Sequence, residues 1–102
     1  MKFLIALLLL STQAFADGSS VYKNNCVTCH GENMDGKGPA GQYMNPHPRD
    51  LLKDSFINGD SPEQIFVTVT HGFNQMPPFD SVLSEADRHA VAEYVSSRRK
   101  QK

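Results

Sequence analysis

The chain has 102 residues, with ten lysines and arginines against eleven aspartates and glutamates, two cysteines and no tryptophan. So even a balance, without a basic stripe and interleaved aromatics, excludes a nucleic-acid-binding surface, and the length allows one small domain. A core of that size commonly needs a staple or a bound group to hold it.

The N-terminus reads as an export signal. Lys2 supplies the charge, Phe3 to Leu10 is an unbroken apolar run, and Ala14-Phe15-Ala16 has the small-X-small form of a signal-peptidase site. Residues 1–16 are therefore expected to be cleaved, leaving a periplasmic or secreted domain at 17–102. The apolar run is far shorter than the ~20 residues that span a bilayer, so no stable membrane anchor is expected. The body from Asp17 to Ser97 carries five basic residues against eleven acidic ones, and Arg98, Arg99, Lys100 and Lys102 form a basic tail. That tail reads as a solvated helix end complementing the helix dipole.

Asp17-Gly18-Ser19-Ser20 offers N-cap residues, and a short helix is expected to follow from Val21 to Cys29 with Val21 and Tyr22 facing inward. This helix carries Cys26-Val27-Thr28-Cys29-His30, the attachment sequence for c-type haem. Residues three apart lie on one helix face, so both sulfurs can reach one edge of a macrocycle while His30 turns onto the iron. A structural zinc site would need a second Cys/His doublet, and His47, His71 and His89 do not form one. A redox dithiol shares the spacing but sits in a β-α-β context absent here.

Gly31 to Gly41 contains four glycines and a proline, a loop whose backbone can pass close to something flat. His30-Gly31 followed by Gly36-Lys37-Gly38-Pro39 resembles the haem-binding loop of class I c-type cytochromes, small monohaem electron carriers. The resemblance implies an all-α fold of three main helices and loops wrapped around one covalent haem c per chain. It also implies that the Pro39 carbonyl accepts the Nδ1–H of His30, since a ligating imidazole needs a fixed acceptor for its other N–H. Pro48-Arg49-Asp50-Leu51 resembles the family segment that brings an arginine, here Arg49, to the haem propionates.

Asp60-Ser61-Pro62-Glu63-Gln64 is a helix start, with Ser61 as N-cap and Pro62 at the first helical position. Ile65 to Thr70 alternates β-branched residues in the manner of a strand, but the specific cap and the lack of a partner strand favour a helix ending near Gly72. Gly72-Phe73-Asn74-Gln75-Met76-Pro77-Pro78-Phe79 resembles the family's methionine loop, implying Met76 as the sixth ligand of an iron held on the other side by His30. Met44, His71 or an open sixth position are the alternatives. The last helix opens at Ser84, with Ala90, Val91, Tyr94 and Val95 inward and Arg88, Glu93 and Ser97 outward; the family resemblance implies that it crosses the first helix through Tyr94 against Val21 and Tyr22.

These readings converge on a periplasmic carrier of single electrons between a donor and an acceptor redox protein, monomeric or a weak dimer, and not itself an enzyme. The alternatives are a haem subunit of a larger dehydrogenase complex, or a small-ligand- or peroxide-reactive haem protein if Met76 does not ligate.

Overall fold

The structure is a computed structural model that describes residues 17–100, so the expected signal at 1–16 lies outside the described residues. Four α-helices follow in order: α1 (Gly18–Asn25), α2 (Val27–His30), α3 (Pro62–His71) and α4 (Glu85–Lys100), with one 3-10 turn at Gly41–Tyr43. Among the described residues there is no strand, only a single antiparallel bridge between Phe73 and Met76. No helix there is long and apolar enough to cross a membrane.

The first helix begins earlier than the sequence suggests, because Asp17 and not a serine is its cap. One Asp17 carboxylate oxygen accepts from the backbone N–H of Ser19 (3.1 Å) and from its hydroxyl, and the other accepts from Ser20. These bonds hold the Asp17 carboxyl below the usual carboxylate range. The expected single helix through Cys29 is broken at Cys26, whose N–H still reaches the Tyr22 carbonyl (2.8 Å), and α2 restarts at Val27.

In α3 the cap overrides the strand propensity of Ile65–Thr70. Ser61 Oγ accepts from the Gln64 N–H and Gln64 Oε1 accepts from the Ser61 N–H, both at 3.1 Å, a reciprocal pair that satisfies two otherwise orphaned donors. Ile65 and Val69, four apart, then share the buried face.

The longest helix, α4, packs against both α1 and α3. Gly18 lies at the crossing of α1 over α4, where a side chain would strike the Ala90 carbonyl and Tyr94 Cβ. The expected aromatic contact forms beside it, with the Tyr22 and Tyr94 rings 5.8 Å apart and tilted by 48°. The core is Val21, Tyr22, Met34, Ile65, Val69, Val91, Ala92 and Val95. Ala92 and Ser96 are buried positions that the stripe reading missed, Ser96 through a 3.0 Å hydrogen bond from Oγ to the Asp60 carbonyl.

Two arginines depart from expectation. Arg88, expected outward, donates to Thr70 Oγ1 (3.1 Å) and to the carbonyls of Asp80 and Leu83 (3.1 and 2.6 Å), and lies 5.4 Å from the centre of the Phe66 ring. Arg99, expected in a solvated tail, donates to the carbonyls of Leu51 and Asp54 and to the Asp60 carboxylate, with its guanidinium 4.1 Å from the Phe56 ring centre. A planar five-donor head reaches several loop carbonyls at once, which is why arginine serves here where a counted charge suggests solvent.

Candidate functional site

The single turn α2 presents Cys29 and His30, with Cys26 at its N-cap, and a helix that short does not hold its shape alone. Its last four carbonyls are all occupied: Val27 by Gly31 N–H (2.8 Å), Thr28 by Ala40 (2.9 Å), Cys29 by Gly38 (3.1 Å) and His30 by Gly36 (2.8 Å). All four donors come from the glycine loop, which wraps over the end of the turn and satisfies groups that would otherwise be orphaned. A side chain at Gly38 would collide with the carbonyls of Val27 and Thr28, and one at Gly41 with that of Cys29. The surface that the glycines let the backbone approach is thus the Cys-X-X-Cys-His backbone itself.

Nδ1 of His30 lies 3.1 Å from the Arg49 carbonyl. A carbonyl only accepts, so Nδ1 carries the hydrogen and Nε2 keeps its lone pair free. Burial holds the imidazole below its ordinary pKa, opposed by the Arg49 hydrogen bond. The family resemblance implied Pro39 as this acceptor; instead the exposed Pro39 carbonyl takes a 3.3 Å bond from Gln42 Nε2. The deciding acceptor is a main-chain oxygen of a residue chosen for its side chain, and no residue-type signal marks it.

Met76 sits in a two-residue turn closed by reciprocal backbone bonds, Phe73 N–H to the Met76 carbonyl (3.0 Å) and Met76 N–H to that of Phe73 (2.9 Å), with Asn74 at φ 53°. Gly72, at φ 73°, closes against the Met76 carbonyl and Pro77-Pro78, where a side chain has no room. Phe79 N–H ties the far end of the loop to the Val69 carbonyl of α3 (3.0 Å).

One cleft gathers Cys26, Cys29, His30, Arg49 and Met76, and Met44 also lines it. His71 is not among its lining residues, and Met34 is buried in the core as filler. The cleft reaches inward to Ile65, Val69, Val91 and Val95, so its floor is the apolar core itself. Phe73 and Ile57 line it too while remaining exposed. A large flat apolar group with two thiol attachment points and a nitrogen donor beside them fits this donor set and these walls. A redox dithiol does not, since burial pushes the Cys26 thiol up to about 12, away from the thiolate such chemistry needs. Among the described residues no cluster of three or more His, Cys, Asp or Glu side chains is gathered to hold a metal ion.

The family described as cytochrome C oxidase, cbb3-type, subunit III matches residues 13–95. The chain belongs to this family and is a class I c-type cytochrome. Cytochrome c6 of Microcystis aeruginosa is 39% identical to it over 79 residues, covering 78% of this chain and 90% of that protein. The cbb3-type cytochrome c oxidase subunit FixP of Sinorhizobium medicae is 33% identical over 94 residues, which are 82% of this cytochrome but only 30% of FixP. The solved cytochrome c6 of the diatom Phaeodactylum tricornutum superposes with a TM-score of 0.62 at 26% identity, covering 82% of this chain and 92% of that one. Proteins of the cytochrome c family bind haem c covalently, and the mostly helical fold expected from the sequence is that of small c-type cytochromes.

Proposed function

We propose that this cytochrome carries single electrons between redox proteins outside the cytoplasm, with His30 and Met76 as the two axial ligands of its haem iron. Haem c supplies a one-electron ferrous/ferric couple at a potential that methionine ligation raises. The chain's own part is to attach, orient and shield. Cys26 and Cys29 anchor the group by thioethers, and His30 offers Nε2 because Nδ1–H is committed to the Arg49 carbonyl. Met76 offers a soft sulfur from a closed turn, and the walls of Ile65, Val69 and Phe79 exclude water. The Arg49 guanidinium, exposed at the cleft, would pair with the propionates. With His30 and Met76 both holding the iron, a substrate would have no site there, which supports a carrier over an enzyme.

The observation that carries this reading is that a histidine whose Nδ1 is held by a backbone carbonyl and a methionine in a pinned turn line one apolar cleft with both cysteines. Export of the domain is supported by the apolar run Phe3–Leu10 followed by Ala14-Phe15-Ala16, with cleavage after Ala16. The test is the spin state of the purified ferric protein. A low-spin spectrum that is lost in Met76→Ala supports the closed carrier; a high-spin spectrum with fast cyanide binding overturns it in favour of a reactive open site.

A second reading, a haem subunit of a larger complex, is favoured by the match to FixP, of which this chain spans under a third. Purification from the native source at low salt separates the two, since a subunit copurifies with its catalytic partner and a free shuttle does not.

A further inference from the structure

The turn that carries Met76 is tied to α3 at both ends, through Gly72 N–H to the Thr68 carbonyl (2.8 Å) and Phe79 N–H to the Val69 carbonyl (3.0 Å). Its tip has one further tie. Gln75 Nε2 donates to the backbone carbonyl of Asn45 at 2.8 Å, across thirty residues of sequence. Among the described residues, no other hydrogen bond joins the 73–76 turn to the Met44–Pro48 segment. Both segments line the cleft, so this bond spans from one part of its wall to another.

We propose that Gln75 is a positioning residue for Met76: its amide latches the methionine turn to the Asn45 carbonyl and so keeps the thioether in the cleft. The proposal rests on Met76 being an axial ligand and names what holds it there. A thioether is a weak neutral ligand, so the free energy that keeps its loop shut sets how often the sulfur leaves. The turn is internally closed through the reciprocal Phe73–Met76 bonds, so a bond at its tip acts on the whole turn, Met76 included. Because the acceptor is main chain, only the Gln75 half of the latch can be removed by substitution.

Loss of one net hydrogen bond of ordinary strength corresponds to roughly a two- to tenfold rise in the open population. The experiment measures the rate of cyanide binding and the far-red sulfur-to-iron charge-transfer band of the purified ferric holoprotein, together with its denaturation midpoint. Gln75→Ala and Gln75→Glu, the second nearly the same size but without a donor, bind cyanide roughly two- to tenfold faster, with a weaker band on warming and a denaturation midpoint lowered by no more than the loss of that one bond. Gln75→Lys, which keeps a donor, returns towards wild type. A wild-type protein that shows the band while both donor-less variants match it in rate and spectrum overturns the latch alone. A wild-type protein without the band overturns the ligation reading and the latch with it.

Discussion

Arg49 meets His30 through its backbone: the Arg49 carbonyl lies 3.1 Å from Nδ1 of the imidazole, nineteen residues away in sequence. The side chain is therefore free for another task, and the two halves of this residue can be separated by mutation. Arg49→Ala keeps the carbonyl and is expected to leave the low-spin spectrum intact while shifting the midpoint potential through loss of a cation near the propionates. Pro39→Ala is expected to leave both spectrum and potential unchanged, since its carbonyl bonds Gln42 and not His30. Optical spectra and potentiometric titration of the two variants check this; a Pro39→Ala protein with disturbed axial ligation contradicts it.

The glycine loop makes a sharper demand. At Gly38 and Gly41 an added methyl runs into carbonyls of α2. Gly38→Ala and Gly41→Ala should each lose about 1–3 kcal/mol in denaturant unfolding, the usual cost of forcing a group into occupied space. Gln42→Ala, which removes only an exposed 3.3 Å bond, should fall within ~0.5 kcal/mol of wild type.

Arg99 joins α4 to the loop that carries Leu51, Asp54, Phe56 and Asp60. Its removal as Arg99→Ala leaves two loop carbonyls without a donor and should cost about 1–3 kcal/mol. Lysine cannot reproduce the fork, so Arg99→Lys recovers only part of this. Arg98→Ala, at an exposed neighbouring position, should be neutral, and chemical denaturation of the three proteins decides.

Tyr22 supplies a pH dependence with a definite sign. Its buried hydroxyl donates to the Gly31 carbonyl at 2.6 Å, and burial raises the phenol well above its ordinary value of 10.0, with like-charge repulsion from Cys26 adding in the unmodified chain. A folded pKa above the unfolded one means that the stabilisation is fully present below pH ~10 and is lost as the pH climbs beyond it. Tyr22→Phe should cost about 1–2 kcal/mol at neutral pH and flatten that alkaline decline. Unfolding curves of wild type and variant above and below pH 10 test both statements.

Much of this architecture is legible because local chemistry and tertiary packing agree. Ser61-Pro62-Glu63-Gln64 announces α3 strongly enough to outweigh the strand-like run after it, and Cys26, Cys29 and His30, singled out by spacing, line one cleft. What stays hidden depends on the backbone or on distance. The acceptor for His30 is a main-chain oxygen, and the partners of Arg88 and Arg99 are mostly loop carbonyls, which carry no residue-type signature. The pause at Cys26 between α1 and α2 is likewise invisible, since its backbone remains in the helical region and only the hydrogen-bond pattern changes. Met44 and Met76 share one cleft, and since Pro46 and Pro48 also follow Met44, what distinguishes Met76 in the sequence is the likeness of its 72–79 loop, with Pro77-Pro78 directly after it, to the family's methionine loop.

That last distinction is open to direct measurement by proton NMR of the ferrous protein, in which a methionine methyl held over the haem plane is shielded by the ring current and moves far upfield. The account predicts one such methyl resonance, retained in Met44→Leu and absent in Met76→Leu. Its absence from the wild-type spectrum, or its loss in Met44→Leu with retention in Met76→Leu, would contradict it.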